Sequence, residues 1–172
     1  MKFSVKTNCP LSDNSYTARD GKPWQVMMFA CSDPRYRTAT LKGLADELSI
    51  ETGEIAPEYM FGGPAILMLA DEPVKHHFIN DVRMAAQHGV TDIFLVQHTG
   101  TCKGLAGRGF TFANGQEEFD QSVSLTQQAV ELLRNSVREV NVWGVVLLNS
   151  ETGKRFKFAW VDEVPPGVGL ED

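Results

Sequence analysis

Short apolar runs separated by amphipathic stretches constrain the fold of this chain more than any other feature. Residues 24–30 (WQVMMFA), 93–96 (IFLV) and 141–149 (NVWGVVLLN) contain no charged side chain. A strand that alternates apolar and polar residues is half-buried, whereas one that is apolar throughout needs cover on both faces, as in a parallel sheet between layers of helix. The intervening segments have the spacing to provide that cover. Leu41, Leu44, Ala45 and Leu48 predict a helix over 37–50 that ends near Gly53. Phe78, Ile79, Val82, Ala85 and Ala86 predict another over 75–88, closed by Gly89 where a left-handed residue commonly ends a helix. Phe119, Val123, Val130, Leu133 and Val137 mark a long amphipathic helix over 117–137.

Two further segments complete the pattern. Residues 58–69 (EYMFGGPAILML) read as a second strand interrupted by Gly62-Gly63-Pro64. Residues 155–161 (RFKFAWV) follow 141–149 across Ser150-Glu-Thr-Gly-Lys154, a polar connection that suits a hairpin. The expectation is an α/β fold: a mainly parallel sheet flanked by helices, with a C-terminal antiparallel hairpin strand, in one domain over 1–172. A length of 172 residues, 42% of them hydrophobic, suits one such core.

Composition excludes several partners. A formal net charge of -6, with no run of lysines and arginines, argues against nucleic acid and anionic membrane surfaces, which need clustered positive charge. No stretch is long and apolar enough for a bilayer span, and no apolar stretch follows the lysines of the first eight residues, so a cytoplasmic protein with a small-molecule substrate is expected. Three scattered cysteines, an odd number, point to reduced thiols, with Cys9 a plain free thiol.

The chemistry concentrates at the ends of two runs. Cys31-Ser-Asp33-Pro-Arg35 follows the first, and His98-Thr-Gly-Thr-Cys102 follows the second. In open α/β sheets ligands bind outside the carboxyl ends of strands, so Cys31, His98 and Cys102 are candidates to converge on one metal ion. Two thiolates and an imidazole favour Zn2+: they offset its charge and leave a fourth position for water or for Asp33. Arg35, permanently charged, can clamp Asp33 and hold it off the metal. His76, His77 and His88, at the two ends of a predicted helix, read as surface residues.

The pattern Cys31-x-Asp33-x-Arg35 after the first strand resembles the β-class carbonic anhydrases. So do the later strand running into His98-Thr, the following Cys102 and the closing Val-x-Gly…Thr-Gly-Lys segment, and the resemblance spans about residues 24–155. It implies Zn2+ held by Cys31, His98 and Cys102. It also implies a dyad of Asp33 and Arg35 that opens or closes the metal, hydration of carbon dioxide to bicarbonate by metal-bound hydroxide, and a homo-oligomer, dimer or higher. Two thiolates should raise the pKa of the zinc water above the value near 7 seen with three histidines, so activity should rise toward alkaline pH. Three departures stand out. Three residues rather than two separate His98 from Cys102, Met60-Phe61-Gly62-Gly63 replaces the family's Arg-Asn-Ala-Gly, and most of the N-terminal helical arm is missing.

Other readings use the same residues. A related zinc hydrolase of carbonyl sulfide or carbon disulfide would share the ligand set, and a non-catalytic zinc-binding relative would keep the fold alone. A Cys31–Cys102 disulfide acting as a redox switch is a variant of these. Cys31 and Arg37, separated by five residues between a strand and a helix, also match the layout of a cysteine-dependent phosphatase loop. Pro34 has no N–H to donate there, and Asp33 puts negative charge where a phosphate would sit, so this is the remote alternative.

Overall fold

Each apolar run becomes a central strand in the computed structural model, which describes residues 24–149 and 155–161. They form β1 (Val26–Cys31), β3 (Asp92–His98) and β4 (Asn141–Asn149). With β2 (Ile55–Met60) and β5 (Phe156–Trp160) they make a five-stranded sheet in the order β2-β1-β3-β4-β5. The first four strands are parallel, and β5 returns antiparallel along β4, pairing Val145 with Trp160 and Asn149 with Phe156. The expected α/β fold class is therefore the observed one. The connection 150–154 and Cys9 lie outside the described residues.

Alternation along the strands supplies two cores. On one face Met27 and Phe29 of β1 and Ile93 and Leu95 of β3 pack with helices α3 (Glu72–Gln87) and α5 (Gly115–Ser136), through Phe78, Ile79, Val82, Ala129, Val130 and Leu133. On the other, Met28, Ala30, Phe94 and Val96 meet Leu44 and Ala45 of α1 (Arg37–Leu48) and the aromatic row Phe156, Phe158 and Trp160 of β5. Burial on both faces explains why these strands are unrelieved by charge, since each Leu, Met or Phe removed from water contributes about 1.5–3 kcal/mol.

The segment 58–69 is corrected. The strand begins earlier, at Ile55, and stops at Met60; the ILML run is not a strand but α2 (Ile66–Leu69), entered through a 3-10 turn at Gly63–Ala65. A short apolar run has no period long enough to separate a buried strand from a buried helical turn. Pro57, inside β2, is tolerated because β2 is an edge strand. Helix α1 stops at Leu48, capped by Ser49 in the left-handed region (φ 54), rather than running on toward Gly53. Helix α3 starts at Glu72, with Pro73 in its first turn, and Gly89 (φ +94) ends it as expected. Among the described residues no helix is long and apolar enough to cross a membrane.

Candidate metal centre

Strand order places the candidate residues together. From β1 the chain moves to one side to form β2 and then returns to the other to form β3, so the direction of winding reverses between β1 and β3. Loops leaving the carboxyl ends of two such strands diverge and open a crevice. Cys31 is the last residue of β1 and His98 the last of β3. Cys102 caps the N-terminus of the short helix α4 (Lys103–Ala106) just beyond.

All three side chains are buried, and their donor atoms lie within 4.8 Å of one another. The two sulfurs are 3.8 Å apart, and both thiols are free. Two sulfurs each about 2.3 Å from one tetrahedral ion would be separated by about 3.8 Å, so the spacing suits zinc. The His98 ring is also oriented to ligate, because Nδ1 lies 2.9 Å from the Thr99 carbonyl oxygen and the buried Nε2 has no protein partner. A backbone carbonyl on one ring nitrogen fixes the tautomer that leaves the other free to bind a metal.

Protonation is shared unequally within the group. A hydrogen bond from the Cys102 thiol, helped by His98 and opposed by burial, lowers the Cys31 thiol to about 4. Donation to Cys31, together with burial, pushes the Cys102 thiol up. Burial acts to lower the imidazole of His98, but the Cys31 thiolate and the Thr99 carbonyl outweigh it and the pKa rises. One thiolate thus draws protons onto both neighbours, a demand for positive charge that a divalent ion meets at all three atoms.

Asp33 and Arg35 occupy the loop after β1. The loop turns tightly, with the N–H groups of Tyr36 and Arg37 donating to the Asp33 carbonyl at 3.1 and 3.3 Å. Arg35 donates from Nε to Oδ1 of Asp33 at 3.0 Å and from Nη2 to Oδ2 at 2.7 Å, a two-pronged clamp. Its Nη2 also reaches the carbonyls of Gly100 and Thr101 at 3.3 and 3.4 Å, tying the two ligand-bearing loops together. Those hydrogen bonds from Arg35 hold the Asp33 carboxyl at about 2. The Asp33 carboxylate is not among the donors that converge with Cys31. Arg37, the arginine of the phosphatase reading, lies instead over the Tyr59 ring, 4.4 Å from its centroid.

Glu118 supports the site and was missed by sequence reasoning. From the first turn of α5 its buried carboxylate accepts the N–H groups of Gly100 (3.0 Å), Thr101 (2.8 Å) and Cys102 (3.3 Å). Gly100 (φ +89) and Thr101 (φ +60) are both left-handed, which turns three successive N–H groups toward one anion. The loop between His98 and Cys102 is held by this nest. The sequence signal was a charged residue in phase with Ser122 and Leu125 on the buried stripe of α5. Tyr36, also missed, stacks on His98 at 4.4 Å between centroids, and its hydroxyl accepts a short hydrogen bond from Asn149 Nδ2, which also donates to the Thr99 carbonyl at 2.9 Å. His76, His77 and His88 are exposed, as expected.

Beside these residues lies a pocket of about 200 Å³ lined by Cys31, Ser32, Asp33, Arg35, Phe61 and Lys103, with Pro34 and Gly104 completing the wall. Met60-Phe61-Gly62-Gly63 forms the turn beside it, where Gly62 and Gly63 have positive φ and the backbone of Gly62 touches that of Gly104 closely.

Comparisons with known proteins locate this architecture. No family model matches the chain, and no curated protein matches its sequence. Solved structures do. A β-carbonic anhydrase from Trichomonas vaginalis superposes with a TM-score of 0.51 at 14% identity, covering 86% of this chain and 87% of that one. One of two tetrameric β-carbonic anhydrases of the ascomycete Sordaria macrospora gives 0.53 at 16% identity, covering 80% and 81%. A β-carbonic anhydrase of Aspergillus fumigatus gives 0.53 at 13% identity, covering 84% and 79%. The chain has a β-carbonic-anhydrase-like fold.

Proposed function

We propose that this chain is a zinc-dependent carbonic anhydrase that hydrates carbon dioxide to bicarbonate, with Cys31, His98 and Cys102 as metal ligands and Asp33 and Arg35 as the catalytic dyad. The observation that carries the proposal is the meeting of two thiols and an unpartnered imidazole nitrogen within 4.8 Å at the crevice between β1 and β3. A zinc ion held by this set supplies Lewis acidity, which makes water a usable nucleophile far below its own pKa.

The chain's residues do the rest. Cys31 and Cys102 as thiolates cancel the charge of the ion, so the site carries no net charge into a buried environment. His98 binds through Nε2, with Nδ1 held by Thr99 and the ring face covered by Tyr36. Asp33 stays ionised and is restrained by Arg35 from moving toward the metal. Its oxygens retain lone pairs that can accept a hydrogen bond from the attacking water and direct the water's own lone pair at the substrate carbon, the proton released as bicarbonate forms passing to solvent. The pocket beside Cys31 and Phe61 has room for a small linear molecule. In this reading residues 1–172 form one domain of a cytoplasmic protein that works as a homo-oligomer, a state supported by the tetrameric β-carbonic anhydrases of Sordaria macrospora.

Metal analysis combined with rapid-mixing assays tests the proposal. The purified protein should carry about one zinc per chain and hydrate carbon dioxide, faster toward alkaline pH because two thiolates keep the nucleophile's pKa high. Cys102→Ser should lose most of the zinc. Turnover of carbonyl sulfide or carbon disulfide in place of carbon dioxide would reassign the substrate. Zinc-replete protein inert toward all three would identify a non-catalytic relative.

A further inference from the structure

We infer that Lys103 and Ser32 make the pocket beside Cys31 an anion site, and that Lys103 sets the affinity of this centre for a small oxyanion of the bicarbonate type. This rests on the reading above, because it names the charged reactant that the same centre would take in the reverse, dehydrating direction.

Local charge is the first observation. The chain carries -6 overall, yet with the two thiolates offset by the ion they would hold, the remaining charged residues lining this pocket are Asp33, Arg35 and Lys103, a net of +1. The second is partnering. Arg35 is committed to Asp33 and to the carbonyls of Gly100 and Thr101, while Lys103 is exposed and has no hydrogen-bond or ion-pair partner among the described residues. An unpaired lysine lining a pocket of an otherwise acidic chain gives an anion a cation to approach there. The third is Ser32, which lines the same pocket and whose Oγ is buried with no protein partner. A hydroxyl that can donate one hydrogen bond beside a free ammonium is a donor pair for an oxyanion, whereas neutral carbon dioxide gains little from either.

Position makes the effect selective. Lys103 follows Cys102 directly and opens α4, and Gly104 packs so closely on Gly62 that the lysine backbone is pinned beside the ligand. Its side chain is therefore a positioning and recruiting group for a charged reactant, not a ligand of the metal.

Bicarbonate titration of the zinc-supplied protein, followed by backbone amide NMR shifts at Ser32, Asp33, Lys103 and Gly104, tests this, with metal content measured on the same samples. Wild type should show saturable shifts. Lys103→Met should weaken bicarbonate binding about tenfold, Lys103→Arg should restore it to within about threefold, and added salt should erase most of the difference. In assays, Lys103→Met should raise KM for bicarbonate, and Lys103→Arg should bring it back toward the wild-type value. Equal binding by wild type and Lys103→Met would overturn the inference, as would metal-replete protein without saturable shifts. Lysine-dependent shifts in protein that takes up no zinc would support the anion site and overturn the zinc reading instead.

Discussion

Glu118 shows how a single residue can brace the Cys31–His98–Cys102 group without belonging to it. Three backbone N–H groups converge on its buried carboxylate, and the loop they belong to carries Cys102. Glu118→Gln replaces one accepting oxygen by an amide that can only donate, so buried N–H groups lose their acceptor at a cost of about 2–4 kcal/mol. Thermal unfolding should register this, and a zinc competition assay should show weakened retention although all three ligands remain. Asp33 and Arg35 predict a pH effect. The carboxyl is held near 2 by the guanidinium, below its unfolded value, so the stability it contributes is complete above about pH 4 and fades as pH falls toward 2. Arg35→Ala should return the Asp33 pKa to the ordinary carboxylate range, observable by carboxyl-carbon NMR, and lower hydration activity at neutral pH by freeing Asp33 to move. At this scale the grouping of Cys31, His98 and Cys102 was legible because cysteine and histidine at strand ends are chemically conspicuous. Glu118, Tyr36 and Asn149 were not, because a backbone N–H nest and a ring stack depend on φ angles and approach distances that no residue spacing encodes.

Among the elements, α4 packs backbone to backbone against the turn after β2. A Cβ at Gly104 would strike the backbone of Gly62 and come within 2.8 Å of the Phe61 carbonyl carbon, and neither backbone can give way cheaply. Gly104→Ala should therefore destabilise the protein by about 1–3 kcal/mol in urea unfolding. Gly53→Ala, where an added Cβ meets nothing within 4 Å, should stay within about 0.5 kcal/mol of wild type. Helices α3 and α5 were legible because their apolar stripes repeat over several turns. The ILML run of α2 was not: four apolar residues carry no period, and helix won because Gly62 and Gly63 turn the chain before it. The end of α1 moved for a related reason, with Ser49 adopting the left-handed cap expected nearer Gly53.

For the molecule as a whole, the decisive fact is that β1 and β3 are neighbours although 60 residues lie between Cys31 and Asp92. Sequence alternation of strands and helices implied a parallel sheet, and the rule that ligands lie beyond the carboxyl ends of strands then brought Cys31 and His98 to one edge. The order β2-β1-β3-β4-β5 itself was not readable, since it depends on which strand edges the packed helices leave available. The apolar character of β1, β3 and β4 has the same origin, with one core on each side of the sheet.

X-ray absorption at the zinc edge of the purified, metal-supplied protein tests most directly whether these elements were brought together to hold an ion. The expected result is about one zinc per chain with two sulfur neighbours near 2.3 Å and nitrogen or oxygen neighbours near 2.0–2.1 Å, at least one showing the scattering of an imidazole. One sulfur neighbour should disappear in Cys102→Ser. A zinc surrounded only by oxygen and nitrogen, or a protein that retains no metal while folded, would contradict the assignment.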